Sequence, residues 1–454
     1  MSKTFQSFQY YNYRLWFAGN LLAASGTWMQ RIAQDWLVLT HLSGGSGLQL
    51  GIVTALQFAP ILFLSPTAGV FADRFDKRMI IQVTQALTAL LGLAMGVLVL
   101  TDTVQLWMVY IFATAGGIIS AMENPVRQAF VSELVPTRIL PNAVALNSTS
   151  FNLARLLGPA ISGFVIDWVG IGWVFIVNAA LFLGPVFTVL FMRERELLKS
   201  KPAPREKGQI RQAVHYVRGR RDIILILVIV GVVSLLGLNF QVTSAMMATE
   251  VYGLPAGGFG LMSTTLAVGA VAGSLGVARL NKPRLRMIVA AALFFGMLLT
   301  LLALAPTYIW FLIIAVPVGM SQQILIASAN AAVQITTAPG FRGRVMALYS
   351  MIFMGVTPIG SPLIGWIAEH FGARWSMAVG GLASMAVAIG VALFGYFHWK
   401  IRLQIDDVTH KLHLNVPISP VRSGYEDLMD DSQIEAQASL DLEEQITDEE
   451  AELK

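Results

Sequence analysis

The chain is 454 residues long and only 13% charged, about half the share of an ordinary soluble domain, which points to an integral membrane protein. It holds no cysteine, which excludes disulfides, thiolate metal sites and a cysteine nucleophile. The pI near 9.3 reflects bases in the connections between apolar runs and not a nucleic-acid-binding face.

Residues 1–14 are polar and aromatic and lack the basic-then-apolar order of a signal peptide, so the first apolar run is expected to be retained. Runs of about 20 residues, enough to cross a bilayer, fall at 15–41, 48–70, 79–100, 105–133, 142–168 and 171–192. The polar stretch 193–221 follows. Its middle is a proline-bearing linker, and Ile210, Val214 and Val217 at helical spacing predict an amphipathic helix on the inner membrane surface. Six more runs fall at 222–249, 256–280, 286–305, 307–336, 343–370 and 374–399. The tail, 400–454, is rich in acids and reads as disordered and solvated. The expected fold is all-α, with twelve transmembrane helices in two bundles, 15–192 and 222–399. Lys and Arg crowd alternate connections, which places both termini and the 193–221 loop in the cytoplasm and the chain in the plasma (inner) membrane.

The two bundles resemble each other. A shift of 202 positions lays Ala145-Leu146 over Ala347-Leu348, Gly158 over Gly360, Gly163 over Gly365, Gly170 over Gly372 and Trp173 over Trp375. A parallel repeat of six spans is the plan of a rocking secondary transporter with its site at the midplane.

Between the second and third runs lies Gly69-Val70-Phe71-Ala72-Asp73-Arg74-Phe75-Asp76-Lys77-Arg78, far more charge than a membrane turn needs. Its second-half copy is worn, with Asn281-Lys282 and Arg286 at matching places. Gly69, Asp73, Arg74, Lys77 and Arg78 match the G-x-x-x-D-R-x-x-[RK]-[RK] signature, and the chain resembles the major facilitator superfamily over essentially all its spans. Asn12-Tyr13-Arg14-Leu15-Trp16, Gly26-Thr27-Trp28-Met29-Gln30 and Arg342-Gly343-Arg344-Val345 resemble the transmembrane secretion effector branch, which includes enterobactin exporters and macrolide or multidrug efflux proteins. The resemblance implies proton-coupled export, with the charged loop acting as a cytoplasmic gate and the first, fourth, seventh and tenth helices lining the path.

Candidate residues follow in chain order. Asn20, Thr27, Arg31 and Gln34 share a small, polar stripe of the first span. Arg31 and Asp35 are four apart, close enough to pair, either as a structural ion pair or with Asp35 as proton carrier. Glu123 beside Pro125 is the second proton-coupling candidate, or a charge pair with Arg127. Arg155 precedes Gly158, Pro159 and Gly163, which resemble the antiporter motif but depart from it at Ala154 and Ser162. Asn239 and Gln241 in the seventh span, with Gln322, Gln323 and Asn330 in the tenth, are neutral hydrogen-bonding candidates for the cavity; no acid lies in those interiors. Glu369-His370 reads as an exposed cap.

No H-E-x-x-H, G-x-S-x-G or phosphate-loop pattern is present, which argues against an enzyme and against built-in ATP drive. The implied partners are a small-molecule substrate, protons and the lipid bilayer, for a monomer without cofactor, metal or nucleic acid. Drug-like cargo, a siderophore or other secreted metabolite, and a scaffold that has lost transport are the competing readings. Arg31 and Arg155, with few lining acids, lean toward neutral or anionic cargo.

Overall fold

The computed structural model describes residues 3–198, 209–277, 285–399, 402–405 and 412–415, with backbone alone at 3–4, 65–74, 209–211, 398–399 and the last two segments. It is a bundle of long helices joined by short turns. The first half holds α1 (Tyr11–Leu37), α2 (Gly47–Arg74), α3 (Lys77–Leu100), α4 (Leu106–Leu134), α5 (Leu140–Val169) and α6 (Ile171–Leu190). A short helix, α7 (Gln209–Arg218), leads into the second half. There the seventh rod is broken into α8 (Arg221–Val232) and α9 (Phe240–Met246), and α10 (Ala256–Val277), α11 (Leu285–Ala303) and α12 (Tyr308–Thr336) follow. The eleventh rod is α13 (Arg342–Gly355) plus α14 (Thr357–Phe371), and α15 (Ala373–Trp399) closes the bundle.

Ten stretches of described helix are long and apolar enough to cross a membrane, fewer than the twelve expected. The two that fall short, α1 and α5, have the length, at 27 and 30 residues. Their composition is the cause. Asn20, Thr27, Gln30, Arg31, Gln34 and Asp35 polarise α1, and Asn147 to Ser150, Asn152 and Arg155 polarise α5. Helices that carry a polar stripe through a bilayer face other protein or a cavity. Both do pack inside the bundle, α1 on α5 and α6, and α5 also on α10.

The repeat is visible in the backbone. Gly170 and Gly372, 202 positions apart, stand at φ 96, ψ 162 and φ 93, ψ 157 between the fifth and sixth rods of each half. That region is open to glycine and strained for other residues. The first rod of each half ends in a π-helical turn, Val38–Leu42 and Met247–Val251. The pairing of helices repeats as well: α2 on α4 matches α10 on α12, and α3 on α6 matches α11 on α15.

Chain direction defines two ends of the bundle. The terminal end carries the start of α1 and the end of α15; the far end carries the turns between the first and second rods of each half. The halves meet through α2 with α14 and α5 with α10. Their closest approaches lie toward the far end. A Cβ on Gly47 would sit 2.7 Å from the Gly365 carbonyl oxygen, and one on Gly163 would sit 2.6 Å from that of Ala256. Small residues permit such backbone contact between membrane helices.

At the terminal end, α7 packs on protein through part of one face. Ala213 and Val217 are buried, Tyr216 stacks on Phe341 at 4.7 Å, and the Tyr216 hydroxyl accepts from the Ala338 amide at 3.2 Å. The turn between α12 and α13 supplies the aromatic partner. The start of the tail, expected without regular structure, pairs Arg402–Ile405 with Leu412–Asn415 as an antiparallel hairpin. The rest of the tail and the 199–208 linker lie outside the described residues.

Candidate functional site

Trp28 stands near the middle of α1 and takes a guanidinium on two sides. Arg31 Cζ lies 5.1 Å from its ring centroid and Arg155 Cζ, from the middle of α5, lies 5.7 Å away. Arg31 is also 5.2 Å from the Phe58 ring of α2. Gly158 brings α5 to this place, since a Cβ there would stand 2.7 Å from Trp28 Cβ, and the Ser162 hydroxyl donates to the Met29 carbonyl at 2.9 Å. The antiporter-like residues thus fit one helix between α1 on one side and α10 on the other.

Asp35, one turn beyond Arg31 toward the far end, is fully buried and neither carboxylate oxygen has a hydrogen-bond partner. The expected ion pair with Arg31 is not formed; the guanidinium turns to the rings instead. Gln34 is buried with its amide nitrogen unpartnered, whereas the Thr27 hydroxyl is satisfied by Ala23 O at 2.9 Å.

Glu123 sits in the opposite condition, nearer the terminal end. Its Oε1 accepts from Arg127 at 2.8 Å and from Gln85 at 2.6 Å. Arg127 also donates to Asn20, lies over the Trp16 ring at 5.7 Å, and Asn20 in turn donates to the Ser150 hydroxyl at 3.4 Å. This network joins α1, α3, α4 and α5.

In the second half, Asn239 marks the break before α9. It donates to Leu235 O at 2.8 Å and accepts from the Ser361 hydroxyl at 2.8 Å, so its polar atoms are used between helices. Gln322 Oε1 is buried without a partner, Gln323 packs 3.1 Å from where a Gly273 Cβ would be, and Asn330 accepts from Gln334 at 2.6 Å one turn away. Gln241 is half-buried beside the Asn239 break.

Within the charged loop, Lys77 pairs with Glu133 of α4 at 2.6 Å. Arg78 donates to Val189 O at 3.1 Å and stands 3.7 Å from Glu194, while Asp76 caps α3 through the Arg78 amide at 2.8 Å. These contacts all stay inside the first half. Gly69, Asp73 and Arg74 end α2, and their side chains lie outside the described residues.

The sequence profile of the transmembrane secretion effector family matches residues 2–422. The chain belongs to that family. It is a multi-pass membrane transporter of the major facilitator superfamily, not an enzyme. Among relatives of this secretion effector protein, the staphyloferrin A transporter of Staphylococcus aureus is 25% identical over 403 residues, 87% of this chain and 99% of the relative. The multidrug efflux pump Tap of Mycolicibacterium fortuitum is 25% identical over 397 residues, 82% of this chain and 93% of the pump. Macrolide efflux protein A of Streptococcus pyogenes is 20% identical over 76% of this chain and 87% of the relative. The fold matches a D-xylose–proton symporter with a TM-score of 0.64 and 15% identity, covering 83% of this chain and 95% of that one.

The residues that resembled the family now have physical places in the transporter. Asn12 exchanges hydrogen bonds with the Arg193 backbone at 2.9 and 2.8 Å, and the buried Tyr13 hydroxyl donates to Ala143 O at 2.8 Å. They tie the terminal ends of the first, fifth and sixth rods together. Sequence reasoning missed Trp28 and Phe58 as ring partners of Arg31, because nothing in spacing says which rings a cation will find. It also missed Asp167, and it read Glu369 as a cap without the helix it serves. Asp167, at the end of α5, accepts from the Gly257 amide at the start of α10 at 2.9 Å. Glu369, at the end of α14, accepts from the Leu48 amide at the start of α2 at 3.2 Å and from the Ser46 hydroxyl at 2.7 Å. The two acids are 202 positions apart, so each half caps a helix of the other by the same device.

Proposed function

We propose that this secretion effector protein exports a small amphipathic molecule in exchange for protons, by rocking of its two halves. The observation that carries this is Asp35: a carboxylate buried in a span, without a hydrogen-bond partner, on a helix at the seam between halves. An isolated ionised acid there would be costly, so the group is poised to take a proton and lose it when its surroundings change. An even number of spans puts both termini at one end, and the bases gathered there place that end in the cytoplasm. The far end is then external, and the contacts gathered at it describe a state sealed on the outside. In that state cargo enters from the cytoplasm toward Trp28. Opening of the far end exposes Asp35 to external protons, and protonation favours return. The protein works as a monomer in the plasma membrane, each half moving as a rigid body.

A second cargo reading, a siderophore or similar secreted metabolite, is favoured by Arg31 and Arg155 converging on one ring and by the relative named a staphyloferrin A transporter.

The test is internal pH in liposomes on adding amphipathic dyes or aromatic carboxylates, with the natural chain against Asp35→Asn. Cargo-driven proton flux in the natural chain and its loss in the variant are expected. Proton flux that survives Asp35→Asn, or cargo that crosses with no flux in either protein, overturns the reading.

A further inference from the structure

We propose that Arg31, Arg155 and Trp28 form a clamp for an organic anion, so that the cargo is a carboxylate borne on an aromatic or amphipathic frame. The inference rests on the transport reading above and names the chemistry of its central site. Arg31 and Arg155 make ring contacts, and neither has an ion pair among the described residues. The Trp28 indole nitrogen is buried with no acceptor. Asp35, one turn away, makes no hydrogen bond to Arg31.

Two guanidinium groups inside a membrane protein, neither hydrogen-bonded to an anion among the described residues, outnumber the one carboxylate near them, and a bound carboxylate offsets that excess. The planar guanidinium fork matches a carboxylate in two parallel hydrogen bonds, and it keeps that geometry while stacked on a ring. Trp28 holds both forks near one ring and adds its own N–H, while Phe58 offers an apolar wall to the rest of the cargo. A cationic drug would meet two like charges here, so the clamp selects against it.

The experiment is calorimetric binding in lipid nanodiscs, with naphthoate, its neutral amide and naphthylmethylammonium as probes. Naphthoate should bind saturably and the amide roughly tenfold or more weakly, because the charge-assisted pair is lost. Arg155→Gln should weaken naphthoate by a similar factor and leave the amide unchanged, while Arg155→Lys keeps part of the affinity. An unchanged thermal midpoint certifies that the Gln variant is folded. Equal affinity for naphthoate and amide, tighter binding of the ammonium probe, or no effect of Arg155→Gln overturns the clamp. The transport reading fails separately: proton flux that persists in Asp35→Asn sinks antiport, while Arg155-dependent binding of naphthoate still upholds the clamp.

Discussion

Glu123 and Asp35 are both buried acids, and their surroundings assign them opposite work. Glu123 accepts two hydrogen bonds, one from a cation, and closes a network that reaches Asn20 and Ser150. Asp35 has nothing. A satisfied buried pair holds helices in place, and removing one partner leaves the other charge stranded. Glu123→Gln should therefore lower stability by about 3–5 kcal/mol, as expected for a broken buried pair, seen as a fall in the thermal unfolding midpoint in detergent. Replacing Arg127 with Met in the same chain should recover much of that loss. Cargo-driven proton flux per folded molecule should persist in the double variant; its loss would return Glu123 to the role of proton carrier. Both acids stand out in the sequence because charge in an apolar run is conspicuous. Their difference does not, since Gln85 and Asn20 are ordinary polar residues at that stage and only packing brings them to Glu123.

Among the elements, the α5–α10 and α2–α14 contacts carry the meeting of the halves. In each, a helix ends in an acid that lies on the first amides of a helix from the other half. The free N–H groups and the dipole of a helix N-terminus favour such a carboxylate. Both acids are exposed, so each cap is worth roughly 0.5–1 kcal/mol at low ionic strength. Asp167→Asn and Glu369→Gln together should loosen the far end and shift the population toward a state open there, less so at high salt. Because the chain has no cysteine, Thr103→Cys in the first half and Thr307→Cys in the second can carry spin labels. Their distance distribution should gain a longer component in the double charge variant, and an unchanged distribution would count against the caps as a lock. Sequence spacing showed Glu369 as a cap but not the helix it serves. The copied position of Asp167 was there to be found, since the 202-residue shift maps one acid on the other, but Asp and Glu do not register as an identity.

At the scale of the whole molecule, the repeat was legible because its marks are residues with few substitutes, such as Gly170 and Gly372 at one unusual backbone angle. The span count was less so: α1 and α5 carry polar stripes, and these dilute the apolar signal by which spans are recognised. The symmetry is one of scaffold and not of charge. Arg31, Asp35, Glu123 and Arg155 have no charged counterparts in the rods of the second half. That half packs through Asn239 on Ser361 within itself and meets the first half through the glycine contacts of α14 and α10. On the proposed rocking of the two halves, locking the seam should stop turnover without touching the clamp of Arg31 and Arg155. Ser46 and Glu369 lie across the seam with their side chains 2.7 Å apart. A variant with Ser46→Cys and Glu369→Cys, bridged through two disulfides by a short bis-methanethiosulfonate, should still bind naphthoate from the terminal end while export falls to background. Reduction of the bridge should restore it. Export that continues at full rate through an intact bridge would mean that the halves do not part at the far end, and that cargo crosses by another route.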